Sequence, residues 1–168
     1  MDVSDLYLEL YGRIPPLAEQ AVDGLGPESL CAPPRPGANT VGWLIWHLAR
    51  VQDHHISELM SVEQLWQRPG CAARFGLRPD PSNTGYGHSA DDVLTVRPDS
   101  TDAVLEYLGE VDARTRGYLG TIDAAGLDRI VDDSWDPPVT LGVRLVSVAD
   151  DCLQHVGQAN YVRGLLVP

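Results

Sequence analysis

Two apolar, helix-like runs hold the groups in this chain that can do chemistry. One is Val41-Gly42-Trp43-Leu44-Ile45-Trp46-His47-Leu48-Ala49-Arg50-Val51-Gln52-Asp53-His54-His55. The other is Asp150-Asp151-Cys152-Leu153-Gln154-His155-Val156-Gly157-Gln158. Imidazoles and carboxylates are costly to bury in such surroundings unless they are paired or coordinate a metal. Asp151 and His155 are four apart, which on an α-helix separates them by about 40° in azimuth and about 6 Å along the axis. Both can reach one ion, and imidazole with carboxylate suits zinc, nickel, iron or manganese. Gln158 falls on the same side, placed to orient a ligand or a bound water. His47 and His54 are nearly eclipsed but about 10 Å apart, so one ion cannot take both.

His47, Asp151 and His155 together would make a three-ligand site with an open position, the arrangement of catalytic metal centres. The residues alone leave a second reading open. The histidines would then be hydrogen-bonded core residues, and Asp151 would pair with Arg144, Arg50 or Arg163 in a buried ion pair. His54 and His55 lie among Asp53, Ser57 and Glu58 and read as surface residues, and His88, near Tyr86, as a loop residue. Cys31, Cys71 and Cys152 are odd in number and lack C-x-x-C spacing, so neither a disulfide framework nor a zinc ribbon is expected. Cys152 reads as a small buried filler. No nucleophile elbow or serine triad pattern occurs, so any hydrolysis would need a metal, with Asp53 or His54 as base.

Four long helices are expected to position these groups. The first, capped by Ser4 or Asp5, runs from Leu6 to Val22, kinked or broken at Pro15-Pro16 and ended by Gly24-Leu25-Gly26. A Pro-rich connector follows. Asn39 or Thr40 caps the second helix, whose apolar residues Val41, Leu44, Ile45, Leu48, Val51, Ile56 and Leu59 recur at three and four. It is expected to end between Met60 and Leu65. Residues 66–99 form a long irregular region containing Asn83-Thr84-Gly85-Tyr86-Gly87-His88, with one helical turn at 89–94. Loops this long are usually functional or act as covers. The third helix starts at Ser100 or Thr101 and ends between Gly120 and Gly126. A connector at 130–138 holds a short extended piece. The last helix opens at Thr140 and is stopped by Gly164 and Pro168. These elements predict an all-α chain of one domain, residues 1–168, folded as a four-helix bundle.

The 168 residues carry a formal net charge of -12 with a pI near 4.6. A chain this acidic lacks the basic face that nucleic acid or an anionic membrane surface requires. The N-terminus has neither the basic start nor the apolar stretch of a secretory signal, and no apolar run approaches about 20 residues. A cytoplasmic location is expected.

The order of these segments resembles the DinB-like superfamily. The resemblance is carried by Pro36-Gly37-Ala38-Asn39-Thr40-Val41-Gly42-Trp43-Leu44-Ile45-Trp46-His47-Leu48 with Arg50-Val51-Gln52-Asp53. Thr84-Gly85-Tyr86-Gly87-His88, Trp135-Asp136-Pro137-Pro138, His155-Val156-Gly157-Gln158 and Tyr161-Val162-Arg163-Gly164 add to it. It implies an up-down-down-up four-helix bundle. It also implies a divalent metal, zinc or nickel, bound by one His of the second helix and a His pair of the fourth. Relatives include mycothiol-dependent maleylpyruvate isomerase and bacterial thiol S-transferases, in which the metal activates the thiol of a small cofactor, and dimers are frequent. His47 and His155 match two of the ligands. The third position is Asp151, where the family has His.

On this basis the chain is expected to be a metal-dependent transferase or isomerase using a low-molecular-weight thiol such as mycothiol, and a homodimer. His47, Asp151 and His155 would be its metal ligands, and Arg50, Gln158 and Arg163 its cofactor-binding residues, the arginines gripping carboxylates. Two alternatives stand beside it. One is a non-catalytic or vestigial bundle, serving as a small-ligand binder or a stress-linked dimer. The other is a metal-dependent hydrolase.

Overall fold

The computed structural model describes residues 1–167. Helix α1 (Val3–Tyr11) opens on a capping box: the Asp2 carboxylate accepts from Asp5 N, and the Asp5 side chain accepts from Asp2 N. The cap is thus Asp2, where the sequence pointed to Ser4 or Asp5. The helix stops at Gly12, and α2 (Ile14–Val22) starts just beyond, so the first expected helix is two. The break precedes Pro15-Pro16 because proline suits a first helical turn, where its missing N–H has no intrahelical partner to lose. The Pro-rich connector holds one helical turn, α3 (Pro27–Leu30).

Thr40 caps α4 (Val41–Met60), its hydroxyl accepting from Trp43 N, and Ser61 ends it in the left-handed conformation. Every residue of α4 from Val41 to Arg50 is buried. A helix apolar on all sides belongs in the middle of a fold, and α4 sits there. It packs along α6 (Thr101–Leu119) and α7 (Leu141–Leu166), while α2 packs on α6 and α7 and α1 on α6. Ser100 and Thr140 cap these two helices through their hydroxyls. Helix α7 runs through Gly164 to Leu166, so that glycine does not stop it, and the other expected stop, Pro168, lies outside the described residues.

Between α4 and α6 the chain is irregular, as expected, with two 3₁₀ turns and the short helix α5 (Ala90–Thr95). Strand β1 (Ile130–Asp132) pairs antiparallel with β2 (Val139–Thr140), and β2 leads directly into α7. The long cover is tied to the core from below. Arg50 of α4 is fully buried and donates to the carbonyls of Pro81 and Asn83, to Gln64 Oε1 and to Tyr107 Oη. Its charge is met by Asp53, 3.5 Å away and equally buried. Asp53 also accepts from the backbone N–H groups of Leu65 and Trp66, from Tyr107 Oη and from Ser57 Oγ. A buried charge pair is tolerable only when its remaining donors and acceptors are satisfied in this way.

Candidate metal centre

Adjacent helices α4 and α7 present His47, Asp151 and His155 to one point. His47 Nε2 lies 3.8 Å from Asp151 Oδ1, His155 Nε2 lies 3.5 Å from the same oxygen, and the two imidazole centroids are 4.6 Å apart. One candidate ligand atom from each residue falls within 4.8 Å of the others. These separations are too long for good hydrogen bonds. They are close to the roughly 3.3 Å between two ligand atoms on a tetrahedral ion with bonds of about 2.0–2.1 Å.

The outer nitrogen of each ring is held. His47 Nδ1 is 2.6 Å from the carbonyl oxygen of Thr84. A carbonyl only accepts, so Nδ1 carries the proton and Nε2 keeps its lone pair for the centre. His155 Nδ1 lies 3.1 Å from Gln158 Oε1, and donation to that oxygen leaves its Nε2 free in the same way. Trp43 stacks on His47 at 4.7 Å, nearly parallel, and meets His155 edge-on at 6.0 Å. Trp43 Nε1 donates to His88 Nδ1, and His88 Nε2 donates to Asn83 Oδ1. Through this chain His88 serves as a bracket between the loop and Trp43, and burial lowers its pKa.

The charge balance fits a cation. Burial pushes the Asp151 carboxyl up, but the His155 and His47 imidazoles outweigh it and hold the group well below the usual carboxylate range. Burial pushes His155 down, yet Asp151 and Gln158 outweigh this and raise it. Asp151 Oδ2 is buried and has no hydrogen-bond partner among the described residues. An ionised oxygen without a partner is an expensive thing to bury, and a divalent ion beside two free imidazole nitrogens is a partner of the right chemistry. The residues therefore fit the metal that the DinB-like resemblance implies, with a carboxylate as the harder third donor.

A cleft of about 540 Å³ opens from this point, lined by His47, Asp151, Val51, Val148, Tyr86 and the pair His54 and His55. Tyr86 is 93% exposed at its rim. Neither Arg50 nor Arg163 lines the cleft. Arg50 is consumed beneath the loop, and Arg163 donates Nε and an Nη nitrogen to the Asp23 carbonyl beyond α2. Gln158 contacts His155. Asp53, weighed as a base, is fully buried and saturated with donors. Arg144 contacts His55 and Asp132, not Asp151. Cys152 is fully buried in the core, and burial drives its thiol well above the ordinary range, as suits a filler.

Sequence reasoning named Thr84 and Gly85 but gave neither a role at the site. The Thr84 contribution is a backbone carbonyl, which no residue type advertises. Gly85 has φ +91, and a β-carbon there would sit 2.7 Å from His47 Nδ1 and 2.9 Å from the Trp46 ring. Only glycine lets the loop lie this close. Its signal was the Gly85-Tyr86-Gly87 spacing within an otherwise unpatterned loop.

Comparison with known proteins shows the fold and the family. A solved structure of the conserved protein of locus from Enterococcus faecalis is 33% identical, with a TM-score of 0.91 over 99% of this chain and 98% of that one. No curated protein matches. No helix among the described residues is long and apolar enough to cross a membrane. The family model described as Mycothiol-S-transferase matches residues 17–167, and the chain belongs to that DinB-like family.

Proposed function

We propose that the protein is a divalent-metal-dependent S-transferase that takes mycothiol or a similar low-molecular-weight thiol, with His47, Asp151 and His155 as the metal ligands. The observation that carries this reading is the convergence of two free imidazole nitrogens on a carboxylate whose second oxygen is buried and unpartnered. When bound, a zinc or nickel ion supplies a Lewis acid that lowers the pKa of a thiol presented to it. The chain's own residues do the rest. Thr84 O and Gln158 Oε1 fix the two rings, Trp43 packs over them, and Val51 and Val148 give the cleft an apolar wall that limits water beside the centre. Packing of α4 with α6 and α7, and of α2 with α7, supports a four-helix bundle as the scaffold, and the up-down-down-up connectivity is what the DinB-like resemblance implies for it.

The test is direct. Purified protein is analysed for bound metal, reconstituted with zinc and with nickel, and assayed for transfer of mycothiol to an electrophile. Metal binding that requires His47, with activity that follows the metal, is the expected result. Failure to hold a divalent ion under any reconstitution would end this reading. A second reading is favoured by Asp151 itself, since a carboxylate between two imidazoles is also a self-sufficient charge cluster. In that case the fold is a non-catalytic binder, and chelator leaves its melting temperature unchanged.

A further inference from the structure

The cleft holds a second cluster about two helical turns along α4 from His47. His54, His55 and Glu58 bring one candidate ligand atom each within 4.8 Å of the others, the spacing of another cation site. Their hydrogen bonds argue against a cation. Arg50 Nη2 donates to Gln64 Oε1 at 2.9 Å, and arginine cannot accept, so the Gln64 amide is fixed. Its Nε2 then donates to His54 Nδ1 at 3.1 Å. His54 therefore accepts at Nδ1 and carries its proton on Nε2. His55 Nδ1 lies 2.6 Å from Arg144 Nη1, a second group that only donates, so His55 also carries its proton on Nε2. Arg144 is anchored by Asp132 Oδ2 at 2.8 Å and stands 3.6 Å from Glu58 Oε2. A cation at this cluster would face the guanidinium and would need each ring to give up its Nε2 proton.

We propose that His54 and His55 are a pair of neutral N–H donors that bind an acceptor oxygen, carbonyl or carboxylate, on the electrophile that receives the thiol. Both rings line the same cleft as His47 and Asp151, so a molecule held by that oxygen lies alongside the metal centre. Burial first, and the Arg144 charge after it, push His55 down to about 4, which keeps the ring uncharged at neutral pH. Donors held in place by Gln64 and Arg144 need no reorganisation when the oxygen arrives. The assignment rests on the S-transferase reading of the neighbouring centre, and it names His54 and His55 as the residues that select the acceptor substrate.

Long-range ¹H–¹⁵N correlation spectra of histidine-labelled full-length protein test it. At pH 7, His54 and His55 are both expected as Nε2–H tautomers. Propionate and propionamide, probes for a carboxylate and a neutral carbonyl, are expected to shift these two rings saturably, and the stronger of the two identifies the preferred oxygen. The H54F/H55F variant is expected to lose that response. Zinc at one equivalent is expected to move His47 and His155 and leave His54 and His55 in place. An Nδ1–H tautomer at either ring, silence toward both probes, or zinc capture by this pair would overturn the proposal. Probe binding without zinc binding removes the metal reading alone, and zinc binding at His47 without probe binding removes this one alone.

Discussion

Gly85 lies against His47 so closely that a β-carbon on it would approach Nδ1 to 2.7 Å, crowding the same nitrogen that is hydrogen-bonded to Thr84 O. The contact joins the loop to the candidate metal centre. Alanine at this position would meet two penalties, a positive φ of +91 and a clash with His47 and Trp46. The first costs about 1–2 kcal/mol and the second about 1–3 kcal/mol. G85A is expected to lower unfolding free energy by about 2–5 kcal/mol in urea titrations. It is also expected to weaken zinc binding about 10- to 100-fold, because the partner that orients a ligand is displaced. Wild-type stability in this variant would show that the loop does not brace His47.

The ligand set makes a sharper prediction. H47Q and H155Q are each expected to abolish zinc binding in calorimetric titrations while leaving the helical circular dichroism intact. D151H installs on α7 the His pair that the DinB-like resemblance implies. It is expected to keep zinc binding and to turn preference toward softer ions, since a neutral nitrogen replaces a hard anionic oxygen. Binding that survives H47Q at full strength would place the ion elsewhere.

Arg50 is expected to matter for stability rather than for ligand affinity. It is 0% exposed, and removing it would unpair the carbonyls of Pro81 and Asn83 and leave the buried Asp53 carboxylate with Arg114, 3.5 Å away, as its remaining guanidinium. Breaking a buried pair from one side typically costs about 3–5 kcal/mol. R50M is expected to lose that much in urea unfolding. R50K is expected to recover only part of it, because a single ammonium cannot reach the spread of acceptors that a guanidinium fork serves. An R50M protein as stable as wild type, with a weakened thiol affinity, would return Arg50 to the ligand site.

How far the sequence could be read depended on the range of each interaction. The Asp151–His155 pair was visible because helical periodicity fixes a four-residue spacing, and His47 was visible as an imidazole in an apolar run. The Arg50–Asp53 pair had the same kind of local signal, a carboxylate three residues on, but a guanidinium reads equally as a grip for ligands until its burial is known. The split between α1 and α2 falls at Gly12 and Arg13, just ahead of the prolines that drew notice, which open the second helix. What no local pattern could supply was the contact between residues 47 and 84, made by a backbone oxygen across an irregular loop.

The depressed His55 pKa gives the chain a dependence on acid that one substitution can isolate. Around the ring stand Arg144 at 2.6 Å, His54 with ring centroids 5.0 Å apart, and Glu58 Oε2 at 3.7 Å, with Asp151 and Asp132 acting through charge. Burial and the Arg144 charge push His55 down to about 4, against an ordinary value of 6.5. Between those two values the unfolded chain binds more protons than the folded one, so stability falls as pH is lowered through this window. His55 would contribute a loss of up to about 2 kcal/mol between pH 7 and pH 5, trimmed by its partial exposure. Other groups titrate over the same range, so the variant must be compared with wild type at both pH values. H55Q keeps an amide beside Arg144 but cannot take up the proton, and its unfolding midpoint in urea is expected to fall less steeply with acid. Parallel pH profiles for the two proteins would mean that Arg144 releases the ring on protonation and that the neutral state of His55 is not enforced by the fold.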